Sequence, residues 1–167
     1  MNVAVQVEPS DGTPAEVEYR WDVDTDILTA RLRNGPHGHG MSGSVELSGS
    51  DGSWVILEVK QGSIAGVEVA VWPDVRSVPT LSVPPEIEDA RVLVPERRSQ
   101  PGLALLQVDT RLLAAADEAE RTIHFTLNGS LAVRTVRIAR DVLLDLDEQA
   151  SVTGLWLLNV PPFPTAE

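Results

Sequence analysis

The chain has 167 residues, of which 43% are hydrophobic and 23% charged, a composition typical of one soluble globular domain or of two very small ones. Its 25 acidic and 13 basic residues give a net charge of -12, and such a field repels nucleic-acid phosphates and anionic lipid. Because it contains no cysteine, the chain has no disulfide, no thiolate metal site and no cysteine nucleophile. We therefore expect no nucleic-acid partner and no membrane association.

The cellular location is predicted from patterns at the N-terminus and in the apolar runs. The first residues lack the basic region and long apolar core of an export signal. No apolar run reaches the roughly 20 residues that a helix needs to span a bilayer. These patterns predict a cytoplasmic protein of bacterial type.

In the first half of the chain, strands are predicted wherever apolar and polar residues alternate. The alternating segments are Asn2–Glu8, Glu16–Asp22, Asp26–Arg33 and Ser44–Ser48. The second and third of these flank a short polar break and form a predicted hairpin, and a glycine-rich loop follows at Asn34–Gly43. Two longer apolar runs between Trp54 and Trp72 flank the turn residues 60–63 and predict a second hairpin, on which the rest of the chain is organised.

The second half begins after a proline-rich segment, residues 77–101, which predicts a connector with one brief edge strand at Ala90–Val94. Residues Leu112–Glu120 favour either a short helix or a loop. The dipeptide Asn128-Gly129 is a strong hairpin signal between two further strands. The strands predicted in this half are Leu103–Asp109, Arg121–Leu127, Ser130–Ile138 and a final pair within Asp141–Asn159.

Short matches between the two halves indicate an internal duplication. Leu57-Glu58-Val59 matches Leu144-Asp145-Leu146, Gly66 matches Gly154, and Gln6-Val7-Glu8 matches Gln107-Val108-Asp109. In this alignment the Asn-Gly hairpin takes the place of the first half's earlier hairpin, with Leu131 on Leu28 and Arg134 on Arg31. A rival alignment sets Val23–Leu28 on Val108–Leu113 and leaves the Asn-Gly hairpin unmatched.

The predicted fold is mainly β, with two similar antiparallel β-sheet units of about five strands each. We expect them to pack face to face into one sandwich-like domain with at most one short helix. The predicted organisation is a first β repeat at residues 1–76, the proline-rich connector at 77–101 and a second β repeat at 102–167.

The first half also carries a spaced pattern of residues that matches a known family. The pattern consists of Tyr19, Asp22, Asp26, Leu28, Arg31 and Leu32, followed by Val55–Val59 and Ile64–Val69. It resembles a small bacterial family of domains of unknown function, the DUF2283 type, over residues 16–72, with a weaker second copy over residues 121–160. The chain departs from the family at Thr29, where an aromatic is usual, and its second copy lacks both aspartates. The resemblance implies a small β-rich sheet unit and lends no catalytic residue.

Two clusters of polar residues are candidate metal sites. Asp22, Asp24 and Asp26 imitate the start of a calcium loop, but Ile27 and Arg33 stand where that loop needs glycine and glutamate, which favours a hairpin turn. In the glycine-rich loop, the metal candidates His37 and His39 offer two imidazoles that could begin a zinc or nickel site. The alternative is a loop with incidental histidines.

Other patterns point away from catalysis. Residues Gly38–Gly43 match the glycine spacing of a dinucleotide-binding loop, but a strand follows them where a helix is required. Glu58 and Glu68 alternate with the apolar residues of their strands, which predicts a solvent-facing row and not an acid–base pair. We therefore predict no catalytic residue and no cofactor.

The function predicted from the sequence is a non-enzymatic structural or protein-binding module, with a protein partner or self-association. The alternative is a small-molecule or metal-binding protein that uses the loop at residues 34–43. A hydrolase with a site between the repeats is the third hypothesis.

Overall fold

The structure, a computed structural model, describes residues 3–10, 12–33, 42–95, 105–128 and 131–164. Within these ranges the chain forms fourteen strands and no helix, which confirms the prediction of a mainly β fold. None of the described segments is a helix with the length and apolar character to cross a membrane. The strands are β1 (Gln6–Pro9), β2 (Val17–Trp21), β3 (Leu28–Leu32), β4 (Gly43–Gly49), β5 (Trp54–Lys60), β6 (Ser63–Val71), β7 (Val75–Ser77), β8 (Glu88–Leu93), β9 (Leu105–Thr110), β10 (Leu112–Ala116), β11 (Ile123–Leu127), β12 (Arg134–Ala139), β13 (Val142–Leu146) and β14 (Val152–Leu157).

All fourteen strands belong to one curled, mixed sheet. Five of them lie in the order β2-β3-β6-β5-β4, which we name the first group. Another five lie in the order β10-β11-β14-β13-β12, which we name the second group. The two groups have the same strand order, and they are bridged through β8, which meets β6 at the single pair Ser63 and Leu93. A sandwich of two separate units stays a prediction.

The register within the two groups also corresponds. Glu58 on β5 is paired with Gly66 on β6, and Asp145 on β13 is paired with Gly154 on β14, as the sequence alignment matches them. A β-bulge follows each carboxylate residue, between β5 and β6 and between β13 and β14. Bulges are specific local features, so their shared position supports a duplication. The duplication and its tandem copies stay a prediction.

The N-terminal segment of each half pairs with the other half. The backbone N–H of Val5 donates to the carbonyl of Ala150 at 2.9 Å, and that of Val152 donates to the carbonyl of Val3 at 2.8 Å. In the opposite direction, β9 from the second half pairs in parallel with β4 along its whole length. The two halves are therefore hydrogen-bonded to each other through residues 3–5 and through β9.

A single hydrophobic core is shared by both groups. Alternate residues of most strands enter it, as the period-2 pattern predicts, including Leu28, Val55 and Val69 from the first group and Phe125, Leu144 and Leu155 from the second. At one end of the core, the indole rings of Trp21 and Trp72 stack with centroids 5.7 Å apart, and Trp72 lies 5.9 Å from Phe125. These contacts join the two groups by apolar packing as well as by hydrogen bonds.

The predicted Asn-Gly hairpin is wrong. In the sheet, β11 lies between β10 and β14, whereas β12 lies between β13 and β8, so β11 and β12 are not neighbours. Asn128 instead closes the β10–β11 pair: its side-chain oxygen accepts from the N–H of Arg111 at 2.8 Å, and its own N–H donates to the Arg111 carbonyl at 2.9 Å. A turn dipeptide indicates only a local preference for a hairpin. The hairpin does not form here because both edges of β11 pair with other strands, β10 and β14.

The expectation of a helix or loop at Leu112–Glu120 is wrong for Leu112–Ala116, which forms β10, whereas residues 117–120 form a turn as the loop alternative predicts. Leu112, Ala114 and Ala116 enter the core, and β10 pairs with β11 on one side and β7 on the other. Pairing on both edges overrides the helix propensity of alanine. In the shared strand order β10 takes the place of β2, a correspondence that neither predicted alignment contained.

Residues 78–87, which we name the strap, join opposite edges of the second group. Before the strap, β7 pairs in parallel with β10, and after it the start of β8 pairs in parallel with β12. The five strands of the second group lie between β7 and β8, so the strap spans roughly 29 Å at about 4.8 Å per strand spacing. Its ten residues reach roughly 35 Å when fully extended, which is enough for this distance. The strap begins with a turn, in which the Leu81 N–H donates to the Val78 carbonyl at 2.9 Å. The predicted connector thus contains a covering segment. Its predicted strand at Ala90–Val94 overlaps β8, but the prediction of an edge strand is wrong, because β8 pairs with β1, β6 and β12.

Candidate functional site

The metal candidates of the sequence fall in two places. His37 and His39 lie outside the described residues, as does most of the loop at 34–43. In the hairpin turn, the Asp22 carboxylate accepts the backbone N–H of Asp24 at 3.0 Å, the contact expected of a turn-forming aspartate. No group of three or more histidine, aspartate or glutamate side chains that could bind a metal ion occurs in the part of the chain that the structure describes.

A buried polar network lies on the second group, on the face of the sheet turned away from the core, which we name the outer face. At its centre, the Asp145 carboxylate on β13 accepts hydrogen bonds from three neighbouring strands. The hydroxyl of Thr135 on β12 donates to it at 2.7 Å, and the indole N–H of Trp156 on β14 donates to both oxygens at 3.1 and 3.2 Å. The Nε2 atom of His124 on β11 lies 2.7 Å from the other carboxylate oxygen. The imidazole also stacks on the Trp156 ring, with centroids 3.8 Å apart.

Gly154 makes room for this carboxylate. It is paired with Asp145 across the β13–β14 ladder. A Cβ atom at position 154 would lie 2.5 Å from an Asp145 carboxylate oxygen and 3.0 Å from the Phe125 carbonyl oxygen. The hydrogen-bonded position of the carboxylate therefore requires a residue without a side chain on the adjacent strand.

The surroundings of Asp145 favour its ionised form. Burial alone raises the pKa of the carboxyl, because it penalises the charge. Hydrogen bonds from His124, Thr135 and Trp156, together with the charge of His124, outweigh burial and hold the pKa of Asp145 below its usual range. The network therefore contains a buried carboxylate anion whose two oxygens both accept hydrogen bonds.

The strap covers this network. Leu143 and Trp156 are only 0% and 4% exposed, although both lie outside the core cluster, so other atoms must cover them. Pro84 and Pro85 of the strap line a cavity of about 490 Å³ together with Thr135. Because the strap joins the two edges of the second group and contacts this face, it crosses the outer face. Several of its apolar side chains are half-buried there, namely Val78, Leu81, Val83 and Ile87.

The hydrogen bonds of the network all converge on the Asp145 carboxylate. The Thr135 hydroxyl donates to this carboxylate and not to the imidazole, so the three side chains do not have the hydroxyl–imidazole–carboxylate order of a catalytic triad. The indole and the imidazole both contact the same carboxylate, which binds the two rings together. The described contacts thus connect four strands across the second group.

The outer face of the first group has a different character. A depression of about 390 Å³ lies over Gly66, and Glu58, Glu68, Arg31, Thr29 and Ser44 are among the residues that line it. Glu58 is exposed while its strand neighbours Leu57 and Val59 are buried, as the solvent-facing row predicts. Within the described ranges, β2 at the edge of this group pairs only with β3.

The shared register relates the two outer faces position by position. Glu58 corresponds to Asp145, Gly66 to Gly154, Ser44 to Thr135, Thr29 to His124 and Glu68 to Trp156, because the pairs occupy equivalent ladder positions. The network residues of the second group are therefore replaced by shorter or charged ones in the first. The outer face of the second group is thus filled by side chains and covered by the strap, whereas the outer face of the first group is exposed.

The sequence contained one signal of the buried network that was missed. Residues 142–146 and 152–157 are buried throughout, on both faces of the sheet. A near-continuous apolar run is typical of a strand buried on both sides, so an aspartate within VLLDL needs partners. The identity of those partners depends on strand order, which pairs residues far apart in the chain.

Comparison with known proteins gives no relative. The sequence matches no protein-family model, and no curated protein is significantly similar to it. The resemblance to the DUF2283-type family therefore stays a prediction.

Proposed function

We propose that the protein is a non-enzymatic protein-binding module whose binding surface is the outer face of the first group. The observation that carries this proposal is the open state of that face beside the covered, equivalent face of the second group. In one group the polar network is buried, with Asp145, Thr135 and Trp156 at most 5% exposed, whereas in the other Glu58 is exposed and Glu68 half-buried beside a depression. A surface of this kind, next to a strand whose outer edge pairs with no other strand in the described part of the chain, is available to another polypeptide.

The charges of the surface define the partner. Glu46, Glu58 and Glu68 lie on β4, β5 and β6 of this face, and Arg31 is the cation on β3 beside them. The whole chain also carries a net charge of -12. Complementary charge steers association and suppresses wrong partners, so a partner with a basic contact region is favoured.

The test is affinity capture from the source lysate with three baits. The wild-type chain is compared with Glu58→Arg/Glu68→Arg, which inverts the charge of the face. The matched control is Glu118→Arg/Glu148→Arg, which makes the same change in net charge at two exposed turn positions. We expect the wild type and the control to retain the same protein and the face variant to lose it.

Two results would count against the proposal. One is that none of the baits retains a protein above background. The other is equal retention by all three baits, which would place the binding surface elsewhere. Thermal denaturation of each bait beforehand shows whether the substitutions leave the fold intact.

A further inference from the structure

The two groups share a strand order, but they differ in what lies beside and above them. In the second group, β7 adds a parallel strand to the edge of β10, and the strap then crosses the outer face. In the first group, β2 is the strand equivalent to β10, and no described strand pairs with the second edge of Tyr19–Trp21. Nearer the N-terminus on the same edge, the carbonyl of Ala15 accepts from the N–H of Arg140 at 2.8 Å, so the unpaired stretch begins after that contact. In the second group, the edge of β10 and the outer face are therefore covered by β7 and the strap. In the first group, the edge of β2 and the outer face have no such covering segment among the described residues.

We propose that the first group binds an extended segment of its protein partner along the path that β7 and the strap follow on the second group. This inference rests on the proposed function and specifies the form of the partner. The segment adds as a parallel strand beside Tyr19–Trp21, which correspond to the residues Ala114–Ala116 that pair with β7. It then leaves the edge and crosses the depression over Gly66.

The backbone of β2 is suited to this addition. The N–H of Arg33 bonds to the Glu16 carbonyl, and the N–H of Asp22 bonds to the Ile27 carbonyl. In an antiparallel pair only alternate residues exchange hydrogen bonds, so the N–H groups of Tyr19 and Trp21 point away from β3 to the free edge. An added strand would satisfy them, as a strand added to a sheet edge does in peptide recognition.

The rigidity of this edge reduces the cost of binding. The Tyr19 hydroxyl donates to the Leu158 carbonyl at 2.7 Å, and the indole N–H of Trp21 donates to the Pro161 carbonyl at 2.9 Å. Both side chains on the core side of β2 are thus fixed before a partner arrives. A preformed edge loses less conformational entropy on binding than a disordered one.

The spacing of the site predicts where the partner carries its charge. From the position of an added strand, Glu68 on β6 lies about three strand spacings across the sheet and Glu58 on β5 about four, roughly 14 to 19 Å. An extended segment covers that distance in about four to six residues. The segment therefore consists of a short strand-forming stretch followed, about four to six residues later, by arginine or lysine.

The test uses a displayed library of random peptides with the length of Val75–Ile87, selected on the folded, full-length chain. We expect enriched peptides to have a β-branched or apolar stretch followed at that interval by arginine or lysine. Binding of a synthesised winner should fall at least 100-fold on Glu58→Arg/Glu68→Arg and stay within about 2-fold on Glu118→Arg/Glu148→Arg. Amide hydrogen exchange at Tyr19 and Trp21 should slow at least 10-fold when the peptide is bound.

The outcomes separate this inference from the proposed function. The proposal of an extended segment is contradicted if no peptide is enriched. It is also contradicted if the enriched peptides bind the face variant as well as the wild type. Binding without protection of Tyr19 and Trp21 contradicts it as well, because the β2 edge would then be unused. If lysate capture meanwhile loses its protein on the face variant, the protein-binding function stands and the partner presents a folded surface.

Discussion

The two strand groups have the same strand order, but the outer face of one is buried and that of the other is exposed. On the second group, a carboxylate beside a glycine is buried under the strap and accepts hydrogen bonds from three strands. On the first group, the carboxylate at the equivalent position, Glu58, is exposed beside Gly66. One backbone arrangement is thus covered by its own chain in the second group and exposed in the first.

The largest expected effect is the loss of stability when the two halves of the chain are separated. Residues 1–76 and 100–167, expressed alone, should each be unfolded, aggregated or self-paired, because each loses core partners and the strand it receives from the other half. Burial of one large apolar side chain contributes about 1.5 to 3 kcal/mol, so the loss exceeds the roughly 5 to 15 kcal/mol that stabilise a small domain. Near-ultraviolet circular dichroism of Trp54, Trp72 and Trp156 checks this. Cooperative melting of either half as a monomer would show that the groups are independent.

The second prediction compares the two carboxylates. Asp145→Ala should lower the free energy of unfolding by about 3 kcal/mol, because the buried donors of Thr135 and Trp156 lose their acceptor. Glu58→Ala should change it by less than about 0.5 kcal/mol, since Glu58 is exposed. Urea denaturation followed by tryptophan fluorescence measures both. Equal effects of the two substitutions would mean that the faces do not differ energetically as their structures imply.

The third prediction compares the two glycines. At Gly154 an added Cβ meets Asp145 at 2.5 Å and a backbone oxygen at 3.0 Å, so Gly154→Ala should destabilise by about 2 kcal/mol. At Gly66 the nearest atoms are at 3.2 and 3.3 Å, and the nearer belongs to the exposed Glu58 side chain, so Gly66→Ala should cost about 1 kcal/mol or less. Thermal melting of the two variants ranks them. A larger loss at Gly66 would contradict the packing described for the two faces.

The smallest expected effect is on the dependence of the unfolding free energy on acidic pH. The pKa of Asp145 lies below its ordinary value of 3.8, so its ionised form stabilises the folded state above that pH. This contribution should disappear as the pH falls below 3.8 and through the lowered pKa. The gap in unfolding free energy between the wild type and Asp145→Asn should therefore narrow from pH 5 to pH 2.5. A gap that stays constant would show that the charge of Asp145 is not what stabilises the network.

The pattern of the sequence predicts most strands but few of their neighbours. Alternation predicts β2, β3, β5 and β6, where apolar residues enter one core and the hairpin turns are local. It fails at Leu112–Ala116, where alanines pair with strands on both sides, and at Asn128-Gly129, where the flanking strands pair elsewhere. Strand order depends on contacts between residues far apart in the chain, and a periodic pattern contains no information about them.

The same limit applies to the site. The position of Glu58 and Glu68 on the outer face follows from alternation alone, and Glu58 is exposed and Glu68 half-buried there. The network around Asp145 needs three partners from three other strands, and no spacing in the sequence unites them. The open face of the first group is recognised only beside the covered face of the second, and therefore only in the folded molecule.

The pairing of Val3 and Val5 with residues 150–152 has a consequence for synthesis. Val3 and Val5 of the N-terminal segment leave the ribosome 145 to 149 residues before the backbone that they pair with. At about 5 to 20 residues per second, the segment waits on the order of ten seconds for that partner. The side chains of Val3 and Val5, buried in the finished protein, are exposed during this interval. The nascent chain is therefore most vulnerable to aggregation before its last strand emerges, and a chaperone that shields its N-terminus should raise the yield of folded protein.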